Sequence, residues 1–309
     1  MFNTYDMSAL GTYLKNLRKN LNYTQAEVAK RGKINIETLR RIENGKVTPK
    51  YETIETLSIV YREDLMSAFS FYRHSKRLFE LYEEIDNLII SNKITDLQKV
   101  EAKLSDIKSA KMEMMLVNID DLRQLELFIE GIKDYYSEDY YSSIEKLTEA
   151  IKVSYVDFKI DAPVFPRMNM FESRILLLLS LCLTQNNDHE QAIEIMKLVL
   201  KLWIDSENFS TSSVQLITKL YFNISYNYYN CEDDLNTIKY TDKGIKLCKE
   251  RNSIYCLYLL YYRRGIAKFK IGNRGYINDL KVCYQLLSIM GRNDLVQQFK
   301  KITKEQHGI

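Results

Sequence analysis

One hairpin-sized pattern recurs along most of the chain, and it limits the fold more than any other feature. A small residue sits in a first helical stretch. A second stretch follows, and the copies align on a template in which it reads A-x-x-x-[YF]-x-x-A. The clearest copy is Leu127–Ile151, LFIEGIKDYYSEDYYSSIEKLTEAI. Gly131 lets its two helices approach, Tyr135 and Tyr136 precede the turn, and Leu147 and Ala150 close the second helix. A second copy places Ser180 at the small position, then Ala192, Met196 and Val199 in DHEQAIEIMKLVLKLW. A third runs from YFNISYNYYN through LNTIKYTDKGIKLC, with Ser225 and Gly244. A fourth holds Gly265 in YYRRGIAKF and ends in INDLKVCYQLL. A more divergent copy covers roughly Leu78–Ile107, with KITDLQKVEAKLSDI as its second helix. A lone helical hairpin cannot bury its apolar face, whereas stacked hairpins share one continuous core. The pattern predicts an all-α chain built largely as a helical-repeat solenoid.

The copies begin about 40 to 49 residues apart. They resemble tetratricopeptide (TPR) repeats, whose period is about 34, with longer helices or fuller loops and without the proline expected after each second helix. Armadillo-like or HEAT-like stacking fits the same spacing. The TPR resemblance implies a right-handed solenoid with a concave groove lined by the first helix of each pair. Composition agrees with long helices: 309 residues hold only 3 prolines and 10 glycines, too few for the turns of a sandwich or barrel. The 23 tyrosines and 12 phenylalanines suit wide layers, with rings inside and hydroxyls at the rim. The loop Val156–Asn169, carrying Pro163 and Pro166, reads as a long connection or as a hinge.

Several chemistries are disfavoured. The histidines His74, His189 and His307 are far apart, and Cys182, Cys231, Cys248, Cys256 and Cys283 show no C-x-x-C spacing. The reading is reduced thiols and no metal site. No phosphate-cradling glycine loop, H-E-x-x-H or G-x-S-x-G occurs, so neither a cofactor nor catalytic residues are expected. The longest apolar run, Ile175–Leu183, has nine residues, against about 20 for a membrane span. With no signal-peptide layout at the N-terminus, the expectation is a soluble cytoplasmic protein that does not engage a membrane.

Charge divides the chain. Residues 1–62 carry 11 Lys+Arg and 6 Asp+Glu, a balance of +5, which leaves −2 for the remainder. A basic head on a near-neutral body suggests a polyanion reader. Within the head, Leu10, Leu14, Leu17 and Leu21 recur at helical spacing. Thr24-Gln25-Ala26-Glu27 is a capping box opening a second helix that ends near Gly32. Asn35 caps a third helix, Ile36–Asn44, which turns Leu39 and Ile42 inward, and Gly45 ends it as a left-handed residue. Beyond Pro49, Ile54, Leu57 and Tyr61 mark a fourth helix.

Helix, tight turn, helix, with a polar and basic second helix, is a DNA-reading layout. The stretches LGTYLKNLRKNLNYTQAEVAK and INIETLRRIENGKVTP resemble the Cro/C1 (Xre) type of helix-turn-helix over residues 8–62. The resemblance implies that Thr24, Gln25 and Asn35 contact phosphate, with Lys46 to Lys50 against neighbouring phosphates. It places Ile36, Glu37, Thr38 and Arg41 at base edges in the major groove, and Arg40 at a base or the backbone. It makes Arg18 and Glu43 an internal salt bridge. Residues 1–66 are taken as this domain, and 67–309 as the repeat domain that senses a ligand and dimerises.

In the repeats, KLYFNISYNYYN sets Lys219, Asn223 and Asn227 along one drifting helical face. An asparagine amide can pair with a peptide backbone regardless of its side chains, and a lysine can hold a carboxylate. Asn223 either faces the groove or ties helices together; Asn227 taken alone is structural or solvated. Tyr226 belongs to the same run, Tyr258, Tyr262 and Arg263 fall near this face in the next repeat, and Arg174 does so in the preceding one. Each alone reads as packing or surface; together they are candidate peptide-binding residues. From Glu63 to about Ile90 the chain reads as helical, with Leu65, Phe69, Tyr72 and Phe79 as apolar contacts.

A helix-turn-helix followed by TPR-like repeats resembles the RRNPP group of peptide-pheromone regulators, including Rgg-like and PlcR-like proteins. That resemblance implies a cytoplasmic homodimer on a double-stranded DNA operator, controlled by a short signalling peptide, with no cofactor. The alternative is a regulator whose repeats dock a protein partner instead.

Overall fold

The computed structural model describes residues 7–66, 69, 81–82, 84–85, 88, 97–109, 119–165, 168–204 and 211–309. Every regular element among them is helical. The chain divides into two compact units, Met1–Leu122 and Arg123–Ile309.

In the first unit, α1 (Met7–Asn20), α2 (Gln25–Gly32), α3 (Ile36–Glu43) and α4 (Tyr51–Tyr61) enclose one core. Leu10, Leu14, Val28, Leu39, Ile42, Ile54, Leu57, Tyr61 and Leu65 are buried in it. Local chemistry fixes the helix ends. Thr24 Oγ1 accepts from the Glu27 N–H while the Glu27 carboxylate accepts from the Thr24 N–H, a reciprocal capping box. Asn35 Oδ1 accepts from the Glu37 N–H at 2.8 Å. Gly45, at φ 68°, closes α3: its N–H reaches Ile42 O, and the Lys46 N–H reaches Arg41 O at 2.8 Å, a Schellman ending. Leu21 falls beyond the end of α1 and is exposed, so the leucine periodicity outlasts the helix by one residue. A further helix, α5 (Leu97–Ser109), buries Val100, Leu104 and Ile107. The helical stretch from Glu63 to Ile90 lies largely outside the described residues, Tyr72 and Phe79 included, as does much of the first half of the divergent copy at Leu78–Ile107, whose expected second helix coincides with α5 from Leu97 onward.

The unit boundary falls within α6 (Ile119–Tyr136). Beyond it, α6 pairs with α7 (Tyr140–Ser154), α8 (Met170–Gln185) with α9 (His189–Ile204), α10 (Thr211–Asn230) with α11 (Asp234–Glu250), and α12 (Leu257–Lys270) with α13 (Tyr276–Ile289). One turn is reused in the first three pairs. Glu138, Asn187 and Glu232 adopt left-handed backbone at φ near 60°. Each precedes an aspartate, Asp139, Asp188 or Asp233. The aspartate N–H bonds back to the first helix, at Asp134 O, Leu183 O or Tyr228 O, at 2.9 Å. Its carboxylate accepts from the second helix, at the N–H of Ser142, Gln191 or Asn236. The fourth pair substitutes Gly272 at φ 72° and Asn273.

From α7 to α13 each helix packs on the next, and α10 also touches α8 and α12. In a curved two-layer array the helices on the inside approach most closely, so the first helices form the concave layer. The connection from α7 to α8 is packed: Phe158 and Phe165 are buried and stack at 5.5 Å, and Gln191 Nε2 bonds Ile160 O. Beyond the repeat pattern, α14 (Asn293–His307) closes the end of the array. Among the described residues no helix is long and apolar enough to cross a membrane.

α1 crosses α3 at Gly11, where a Cβ would stand 2.5 Å from Glu43 O and 2.7 Å from Ile42 O. Gly11→Ala is therefore expected to cost the head about 2 kcal/mol. Amide hydrogen exchange checks this: protection in α1 and α3 falls while α8 to α13 is unaffected, and unchanged protection in α1 would refute the close approach.

Candidate functional site

The head presents a continuous polar edge. Thr24, Asn35, Ile36, Glu37, Thr38, Arg40, Arg41, Lys46 and Lys50 are all exposed, and Gln25 is half-buried. The cap at Asn35 starts α3 abruptly, so Ile36, Glu37 and Thr38 form its open first turn while Leu39 and Ile42 anchor the opposite face. Ile36 is 49% exposed, an apolar side chain able to meet a thymine methyl.

Beneath this edge lies a polar tie. Glu43, with its side chain 1% exposed, accepts from Arg18 Nε at 2.7 Å and Arg18 Nη2 at 3.0 Å. Its Oε2 also accepts from Gln25 Nε2 at 2.7 Å, and Arg18 Nη1 donates to Tyr23 O. One buried carboxylate thus joins α1, the start of α2 and the end of α3, and Arg18 is held above its ordinary pKa by that bond. The sequence reading has the Arg18–Glu43 pair but not the Gln25 bond, which places this phosphate candidate against the internal pair. On the surface, Arg40 Nε and Nη2 each donate to Glu37 at 2.8 Å, which lowers the Glu37 carboxyl pKa. Arg41 has no ion pair among the described residues, and stands as a guanidinium open to a base edge or phosphate.

The structure separates the peptide candidates into two sets. Lys219 and Tyr226 are half-buried along α10. Asn223 is 6% exposed and its Nδ2 donates to Lys219 O within the helix. Arg263 reaches across from α12, with its guanidinium 4.7 Å from the Tyr226 ring and 4.4 Å from the Tyr229 ring. Arg174 is buried in α8, and its charge acts on Tyr255. The second set is committed internally. Asn227 is fully buried: Nδ2 donates to Asn223 O, and Oδ1 meets Thr184 Oγ1 at 3.0 Å and His189 Nδ1 at 2.8 Å. Its role here is to tie α10 to α8 and the start of α9. Tyr258 and Tyr262 pack on Phe299 of α14, Tyr262 at 4.6 Å edge-on, and Tyr262 Oη lies 3.1 Å from Thr303 Oγ1. No sequence periodicity announces the contacts of Tyr258 and Tyr262 with Phe299 and Thr303, because α14 lies outside the repeat. Among the described residues no group of His, Cys, Asp and Glu side chains has the arrangement to hold a metal ion.

Residues 14–65 match the helix-turn-helix family model. Bacillus thuringiensis PlcR, solved with the peptide PapR7 and DNA, superposes with a TM-score of 0.71 at 14% identity, covering 94% of this chain and 99% of that one. Streptococcus dysgalactiae Rgg2, an SHP pheromone receptor, gives 0.62 at 15% identity over 94% and 97%. The competence regulator ComR of Streptococcus vestibularis, in its apo form, gives 0.52 at 12% identity over 97% and 99%. The fold is that of PlcR and Rgg2. It joins a helix-turn-helix to a helical-repeat unit, as expected from the sequence. No curated protein matches the chain in sequence.

Arg18→Ala would leave Glu43 as a buried carboxylate without its main counter-charge, and is expected to destabilise the head by about 3 kcal/mol. Hydrogen exchange in α1 to α4 measures the loss; a change under about 0.5 kcal/mol would show that the tie carries no weight.

Proposed function

We propose that the chain is a sequence-specific DNA-binding transcription regulator, acting in the cytoplasm as a homodimer, whose repeat unit binds a short signalling peptide. One observation carries the reading: an exposed, capped, arginine-bearing α3 sits in a helix-turn-helix at the head of a fold that, in PlcR, has been solved with both a peptide and DNA. No catalytic role is assigned to any residue.

On DNA, the first turn of α3 and Arg41 enter the major groove. Arginine grips guanine O6 and N7 with two donors, and Glu37 accepts from a cytosine amino group. The bonds between Glu37 and Arg40 hold both side chains along one side of α3, so a base competes with a neutral, oriented pair instead of two mobile charges. Thr24, Asn35, Lys46 and Lys50 supply phosphate contacts that set register. Gln25 joins them from a side chain already fixed by Glu43. In the repeat unit the peptide lies along α8, α10 and α12 and meets Arg174, Lys219, Asn223, Tyr226 and Arg263. Asn227, Tyr258 and Tyr262 shape that face from beneath or beside it. Peptide shifts the balance of dimer states only by the difference in its affinity for them, and one state spaces the two heads to match half-sites about one helical turn apart.

Fluorescence anisotropy on selected duplexes tests the DNA half. Affinity should fall about 10³-fold or more between roughly 50 and 200 mM salt. Arg41→Ala should narrow the gap between the selected site and a scrambled one by about 1–3 kcal/mol, while Lys50→Ala weakens both alike. Identical behaviour of the two variants on both duplexes would overturn the reading of α3. Retention of a folded protein with no retention of any short peptide would assign the repeats to a protein partner.

A further inference from the structure

Charge is unevenly spread along the concave layer. Of the four first helices, α6 contains two basic and five acidic residues, whereas α8, α10 and α12 together contain six basic residues and one acidic residue, Glu172. The second helices α9, α11 and α13 contain seven basic and six acidic residues. Glu172 is spent locally: its carboxylate accepts from the Asn169 N–H and the Tyr155 hydroxyl. Two of the six cations turn away from the concave side. Arg264 bonds Asp279 and Asp242, and Lys268 joins Asp279 at 2.8 Å. Lys270 lies 4.4 Å above the Tyr229 ring, and its charge also acts on Asp234.

Arg263 has no such partner. Its guanidinium rests against two tyrosine rings of α10, its Nε is buried, and no carboxylate or carbonyl accepts from that atom among the described residues. Burial pulls its pKa below the ordinary arginine value, and the titratable groups that face it are the Tyr226, Tyr229 and Tyr262 hydroxyls and the His307 imidazole. Aromatic faces orient and partly stabilise a guanidinium, but they leave its in-plane donors unused, and those donors fit a carboxylate bidentately. Along the same face, Lys219 is half-buried without an ion pair among the described residues, and its charge falls on Cys256. Leu178 and Leu181 of α8, with Phe222 and Tyr226 of α10, are half-buried on the two helices. The face therefore offers apolar surface together with cations that lack counter-ions.

We infer that the ligand of this groove is a short apolar peptide bearing a carboxylate, and that Arg263, flanked by Tyr226 and Tyr229, is the residue that receives it, with Lys219 adding charge. This rests on the peptide reading proposed above. The carboxylate belongs to an Asp or Glu side chain or to a free C-terminus; both offer the same two oxygens, and the test separates them.

Three heptapeptide pools of identical apolar composition are passed over the full-length protein and the retained peptides quantified by mass spectrometry. One pool carries a single Glu with an amidated C-terminus, one carries Gln with a free C-terminal carboxylate, and one carries Gln with an amidated C-terminus. Either or both carboxylate pools should be retained about tenfold more strongly than the neutral pool, the favoured one naming the source. Arg263→Gln should erase that preference and leave the neutral pool unaffected, while Arg263→Lys keeps part of it; circular dichroism melts establish that each variant is folded. Equal retention of all three pools by the wild-type protein overturns the inference and leaves peptide binding standing. Retention of none overturns the peptide reading itself and the inference with it. Should Arg263→Gln fail to fold, the wild-type comparison decides alone.

Discussion

The repeat unit depends on reversing a helix within a few residues without stranding its polar backbone. A helix end exposes four N–H or C=O groups that need partners. In three of the turns a single aspartate serves both sides. The N–H of Asp139, Asp188 or Asp233 satisfies a carbonyl of the helix before it, and its carboxylate takes an N–H of the helix after it. No additional loop residues are required, so the two helices leave the turn already in contact. Gly131 shows how close that contact is, since a Cβ there would stand 2.8 Å from the Leu147 side chain. Ser143, fully buried, donates to Gly131 O at 2.7 Å and lies 3.1 Å from the Cys182 thiol of the next pair. Tight pairs have flat apolar sides, and flat sides stack.

The head solves a different problem with similar means. Its helices are eight to fourteen residues long, too short to be stable alone in water. Caps at Thr24 and Asn35 define where they start, and the shared apolar core holds them together. What fixes the angle between α2 and α3 is more specific. Gly11 allows α1 to touch the carbonyls at the end of α3, and Glu43, whose own carbonyl is part of that contact, gathers Arg18 and Gln25 through its side chain. A buried ion pair adds little net stability against an apolar substitute, but its geometry is directional. Here that geometry sets the presentation of the helix that carries Ile36, Glu37 and Arg41.

The division between what the sequence discloses and what it withholds follows from range. Caps, the Gly45 ending, the hairpins and the small residues between paired helices arise from neighbours a few positions apart, and each leaves a pattern. The buried ties do not. Gln25 and Glu43 are 18 positions apart, His189 and Asn227 are 38, and Tyr262 and Thr303 are 41. No periodicity links such pairs, and the residues involved are as common on surfaces as in cores. Asn223 and Asn227 illustrate the limit. They lie one turn apart on α10 and look equivalent, yet Asn227 meets Thr184 and His189 of the preceding hairpin while Asn223 bonds only its own helix. Likewise Tyr258 and Tyr262 lie on the face of α12 that α14 covers, and α14 has no counterpart in the repeat to forecast it.

Net charge of +3 conceals two unlike concentrations of cations. On the head, Arg41, Lys46 and Lys50 are exposed, so their attraction for a polyanion acts through water and is screened within about 8–10 Å at ordinary ionic strength. In the concave layer, Arg263 is partly withdrawn from water and set against tyrosine rings, where screening is weaker and desolvation has been met in advance by the fold. The first arrangement suits a partner approached from a distance along many phosphates. The second suits one anionic group delivered into a confined place, where a single pairing is strong because little water competes. The same residue type thus does different work in the two units, and burial, not sequence composition, separates the roles.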